Sequence, residues 1–119
     1  MSRDHRKLDV FTLADQLVLD IYRSSNDFPA PERYGLQSQM RRAAVSTACN
    51  IVEGSARRTT REYVHFLNVA TGSAAEAEYL VTLAERLEIL PATRADDLIR
   101  AYGKLSASLR ALLRSLVDD

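Results

Sequence analysis

The chain has 119 residues, 46% hydrophobic and 27% charged, which suits one domain with one core. Lys plus Arg and Asp plus Glu both number 16, so the formal net charge is zero. That balance argues against strong non-specific nucleic-acid binding, leaves room for a local basic patch and removes one barrier to self-association. No apolar run approaches the roughly 20 residues of a membrane span.

The opening stretch, with Arg3, His5, Arg6 and Lys7, is polar and expected to fray. It lacks the apolar region of a secretory signal. Val10, Ala14, Leu17 and Ile21 then form one apolar stripe, widened by Phe11, Leu13 and Val18. This predicts a helix over about 10–25 with Asp9 as its N-cap. Asn26-Asp27-Phe28-Pro29-Ala30-Pro31 ends it, because proline disfavours helix at the residue before it.

A second helix is expected over about 36–56, with Leu36, Met40, Ala44, Thr47 and Ile51 as its stripe. Val45, Ala48 and Val52 widen the apolar arc to roughly 160° of the wheel, at about 100° per residue. That is more than one core needs, and it points to a second packed surface such as a subunit interface. Cys49, the only cysteine, forms no intramolecular disulfide and fits a cytoplasmic setting. Among Ala48, Asn50 and Ile51 it reads as a small buried hydrophobe. Gly54 reads as the helix stop.

Thr59-Thr60-Arg61-Glu62 is a capping box that opens a third helix, expected over about 60–89. Tyr63, Leu67, Ala70, Ala74, Ala77, Val81 and Ala84 repeat at alternating spacings of four and three, the seam of left-handed bundle packing. Tyr63 and Phe66 read as core aromatics. Gly72, in a run of small residues, costs the helix about 1 kcal/mol relative to Ala, which suggests close approach of another backbone. Pro91 interrupts the pattern, and Thr93 with Asp96 signals the cap of a fourth helix over about 94–117. Its seam is Leu98, Tyr102, Leu105, Leu109, Leu112 and Leu116, with Asp118 and Asp119 opposing the C-terminal dipole. These segments predict an all-α, antiparallel, up-down-up-down four-helix bundle in a single domain.

Arg42, Ser46, Asn50 and Glu53 fall on one face of the second helix, opposite Met40, Thr47 and Ile51. A solvated polar face accounts for that spacing; so does a polar site at the helix end. Arg41, Arg42, Arg57, Arg58 and Arg61 form a basic cluster around the following turn. Arginines entering a helix N-terminus suit an anion such as a nucleic-acid phosphate. Their alternative role is ion pairing with Glu53, Glu62 or a neighbouring subunit. Enzyme chemistry finds little support: His65 stands alone, no Gly-rich phosphate loop is present, and Ser46 has no histidine near it in sequence. No catalytic residue, metal site or cofactor is expected.

Several segments also resemble a known family. They are Leu8-Asp9-Val10-Phe11, Ile21-Tyr22, Phe28-Pro29, Glu32-Arg33-Tyr34-Gly35-Leu36, Gln39 to Ser46, Asn50-Ile51-Val52-Glu53-Gly54, Glu62 to Leu67, and Ala70-Thr71-Gly72-Ser73 with Glu76. In that order they resemble the bacterial four-helix-bundle family named for open reading frames inside intervening sequences of large-subunit ribosomal RNA genes. The likeness runs from Leu8 to about Leu90, and its specific element is carried by Asn50, Ile51, Glu53 and Gly54 with the preceding Arg41-Arg42. The family often has a proline near Thr47-Ala48-Cys49; its absence here predicts an unbroken helix. The resemblance implies a ring-like homopentamer, and some relatives are labelled ribosomal proteins. A related group, the accessory variability determinants of diversity-generating retroelements, comprises similar pentamers that bind nucleic acid. Those relatives are strongly basic, whereas this chain is balanced. The expectation is therefore a non-enzymatic homo-oligomeric scaffold, with RNA or DNA as candidate partner through the arginine cluster. The alternatives are a protein-interaction module without nucleic acid, and an enzyme using the Ser46, Asn50 and Glu53 face.

Overall fold

A computed structural model describes residue 4 and residues 8–117. The expectations for Arg3, His5, Arg6, Lys7, Asp118 and Asp119 lie outside the described residues. Four helices account for almost everything else: α1 Asp9–Ser25, α2 Leu36–Ser55, α3 Thr60–Arg86 and α4 Ala92–Val117, with a 3-10 turn at Ala30–Glu32. No strand occurs among the described residues.

The apolar stripes decide how these helices meet. Each helix packs on two neighbours, α1 on α2 and α4, and α3 on α2 and α4. Side-chain register shows that the pairs run antiparallel. Gln37 and Arg41 of α2 reach Ser25 and Tyr22 of α1. Ser46 meets Ser73, while Gly54 lies against Tyr63 and Phe66. Asp9 and Val10 lie beside Ser108, Ala111 and Leu112 of α4. The result is an up-down-up-down bundle of 46 × 22 × 19 Å.

The predicted seams are the core. Val10, Ala14, Leu17 and Ile21 are buried, as are Leu36, Met40, Ala44, Thr47 and Ile51. All seven seam residues of α3 are buried, and so are Leu98, Tyr102, Leu105 and Leu109 of α4. Leu112 and Leu116 pack on the core but are only partly covered. Without a proline, α2 runs unbroken.

The ends need correction. Leu8, not Asp9, is the N-cap of α1, and Asp9 is the first helical residue. There its carboxylate complements the dipole instead of capping an amide. Thr93 lies inside the first turn of α4, which starts at Ala92, and the Pro91 carbonyl accepts from Ala95 N–H at 2.9 Å. Helix α3 stops at Arg86, three residues before its predicted end, because Glu88 takes the left-handed conformation (φ 61). Ile89 N–H donates to the Ala84 carbonyl and Glu88 N–H to the Glu85 carbonyl, both at 2.9 Å. That pair of bonds is a Schellman motif with a glutamate where glycine is usual. Two further corrections concern small residues. Cys49 is exposed, not buried, because the core takes Thr47 and Ala48 instead. Gly72 is exposed, and a Cβ there would meet nothing within 4 Å. No second backbone among the described residues approaches it.

Candidate functional site

The polar motif of α2 sits against α3, and its residues mainly set how those two helices pack. Ser46 Oγ and Ser73 Oγ share a hydrogen bond of 2.8 Å across the interface. Asn50 Nδ2 donates to the Ser46 carbonyl at 2.8 Å and to Ser46 Oγ at 3.1 Å. Asn50 thus orients the hydroxyl that bridges the helices.

Gly54 is not a stop. It is buried inside α2, and no glycine of the described residues has positive φ. A Cβ there would lie 2.9 Å from Phe66 Cβ and 3.1 Å from Tyr63 Cδ1. Glycine is needed because α3 comes this close. Glu53, one residue earlier, is on the exposed side and pairs with Arg57.

The structure divides the five arginines. Arg41 is committed to α1: its Nε donates to Ser25 Oγ at 3.0 Å and its terminal nitrogen to the Tyr22 carbonyl at 3.1 Å. Its guanidinium lies 4.5 Å from the Tyr22 ring centroid. With Gln37 Nε2 donating to the Ser25 carbonyl at 2.6 Å, α2 caps the end of α1 and places a cation at its negative pole. Arg42 is exposed and lines a recess with Gln39, Ala43, Ser46 and Glu76. It stands 13 residues before the end of α2, roughly 20 Å along the axis at 1.5 Å per residue.

Arg57, Arg58 and Arg61 gather at the α2–α3 turn. Arg57 is half-buried, pairs with Glu53, and lies 4.9 Å from the Phe66 ring centroid. Phe66 is consequently half-exposed, not a core aromatic as its position suggested, whereas Tyr63 is buried. Arg58 and Arg61 are exposed. The predicted capping box is present in altered form. Thr59 Oγ1 accepts from Glu62 N–H at 3.1 Å and donates to the Glu62 carboxylate at 2.9 Å.

Exposed Arg110 and Arg114 belong to the same end of the bundle, because α4 returns antiparallel to α3. Reading the cluster along the chain missed them. Folding the two seams about residues 87–91 would have placed Arg114 at the level of Tyr63.

Among the described residues, no group of three His, Cys, Asp or Glu could hold a metal ion. Ser46 is bonded to Ser73 and Asn50 and has no histidine partner among the described residues. No described helix is long and apolar enough to cross a membrane.

These elements define an all-α antiparallel bundle protein with a tightly packed α2–α3 pair and a basic turn at one end. The chain belongs to the family described as 23S rRNA-intervening sequence protein, whose profile matches residues 6–111. A solved structure, a protein of unknown function from the S23 ribosomal protein family of Bacteroides thetaiotaomicron, shares the fold with TM-score 0.82. Identity is 18%, over 88% of this chain and 95% of that one. No curated protein matches the chain. The family resemblance seen in the sequence is therefore correct.

Proposed function

We propose that this chain is a non-enzymatic homo-oligomeric scaffold, a ring-like pentamer, that holds RNA or DNA phosphates at the α2–α3 turn. The observation that carries the phosphate reading is the exposure of Arg58 and Arg61 beside the first turn of α3. Unpaired amides of a helix start add to the field of such arginines. Glu53 holds Arg57 beside them, and Arg110 and Arg114 extend the basic surface. Arg41 and Arg42 fall outside this site.

Support for self-association comes from the outer face of α2, where half-buried Val45, exposed Cys49 and half-buried Val52 continue a four-three spacing away from the core. Leu19, Val69 and Tyr79 are also exposed. The number five rests on the family resemblance. The neighbour's ribosomal family name agrees with an RNA partner.

The test is sedimentation of the full chain alone, with labelled structured RNA and with labelled duplex DNA. The proposal expects an assembly several times the 13.3 kDa chain mass, with RNA or DNA co-sedimenting at low salt. A monomer would overturn the scaffold. An assembly without RNA or DNA would leave a protein-interaction module.

A further inference from the structure

Tyr34 is 97% exposed. It does not sit on a loose loop. Glu32 N–H bonds the Pro29 carbonyl at 2.9 Å, Arg33 N–H the Ala30 carbonyl at 3.2 Å, and Gly35 N–H the Glu32 carbonyl at 3.3 Å. The ring is thus held out from a hydrogen-bonded platform directly before α2. An exposed aromatic on a hydrogen-bonded turn is the type of side chain that anchors interfaces, with a large apolar body and one polar tip.

The same chain carries a recess of about 270 Å³ between α2 and α3. Buried Ala43 contributes apolar surface, and Gln39 and Ser46 offer polar atoms to a phenol hydroxyl. Arg42 and Glu76 line it, both exposed, and neither is ion-paired within the described residues. The two charges just before Tyr34, Glu32 and Arg33, are the complement. Glu32 and Arg33 also have no ion-pair partner among the described residues.

We propose that Tyr34 of one copy of this chain seats in the α2–α3 recess of another. Arg33 then faces Glu76 of the neighbouring copy, and Glu32 faces its Arg42. Knob and recess are different patches, so the contact is head-to-tail, the kind that closes a ring when the rotation permits. It also accounts for Arg42, which lies apart from the basic turn. The inference rests on the oligomeric reading above and names its interface.

The experiment replaces Tyr34 with p-azidophenylalanine, which keeps the ring, and irradiates the full chain at a concentration where sedimentation gives its mass. The expected result is an inter-chain adduct whose peptides join position 34 to residues 39–46 or to Glu76. An assembly whose cross-links map elsewhere, or form within one chain, overturns this interface and leaves the oligomer standing. A monomeric chain overturns both. Tyr34→Ala should leave the helical circular dichroism unchanged and weaken association by about tenfold or more. Arg33→Glu should weaken it too, and adding Glu76→Arg should restore it; failure of that rescue overturns the charge pairing.

Discussion

Two glycines in neighbouring helices should respond oppositely to the same substitution. In a helix interior, Gly to Ala gains about 0.8–1.0 kcal/mol of intrinsic propensity. At Gly72 nothing opposes that gain, because a Cβ would meet no atom within 4 Å. Gly72→Ala should therefore stabilise by about 1 kcal/mol, or about 4 °C in Tm for a domain of this size. At Gly54 the new carbon would sit 2.9 Å from Phe66 Cβ and 3.4 Å from the Tyr63 carbonyl oxygen. Phe66 Cβ is fixed to the backbone and cannot swing away as a flexible side-chain end would. The helices must part, and such overpacking costs about 1–3 kcal/mol. After the propensity gain, Gly54→Ala should destabilise by about 0–2 kcal/mol. Urea titrations of both variants at one fixed protein concentration, with equal slopes, measure the difference. Equal stabilisation by both would refute the close approach of α3 at Gly54. Destabilisation by Gly72→Ala would refute the open surface there.

Other consequences follow from single groups. The Tyr102 hydroxyl is fully buried and has no hydrogen-bond partner among the described residues, so Tyr102→Phe should stabilise the protein by about 1–3 kcal/mol in thermal melts. Burial first, and the Asp20 carboxylate second, hold the Tyr102 ionisation well above its ordinary value of 10. Above that pH the unfolded chain gives up its proton first, so wild-type stability should fall by up to about 1.4 kcal/mol per pH unit from this group. Tyr102→Phe should show a correspondingly shallower decline. Glu88→Gly should stabilise by about 1 kcal/mol by relieving the left-handed backbone, read as a higher urea midpoint. Arg41→Ala should cost about 1–3 kcal/mol, since it removes charge-assisted bonds to the end of α1, and hydrogen exchange should rise first at that helix end.

Seams were readable because a bundle core repeats every three or four residues and leaves that period in the chain. Tyr63 to Ala84 and Leu98 to Leu109 show it directly. Features set by a single backbone or side-chain direction were not readable. Glu88 adopts a conformation that glycine usually announces, so the end of α3 carried no signal. Gly54 looks the same whether it stops a helix or admits a neighbour, and only the position of Phe66 decides. Cys49 differs from buried Ala48 by one step of about 100°, enough to turn it outward. The arginines were found as a cluster, but sequence proximity could not show that Arg41 reaches back to α1 while Arg58 and Arg61 face solvent. Arg110 and Arg114 join them only through the return of α4.

The most direct test of the proposed phosphate site is fluorescence anisotropy of labelled structured RNA and duplex DNA titrated with the full chain across a salt series. The comparison is an Arg58→Ala, Arg61→Ala variant shown to keep its mass. For duplex DNA, the account predicts that affinity falls steeply with salt in the wild type, and that the log–log slope shrinks by about 1.8 for each engaged subunit in the variant, at about 0.9 per phosphate contact. Binding with an unchanged slope in the variant, or no binding at low salt, would contradict a phosphate site at the α2–α3 turn.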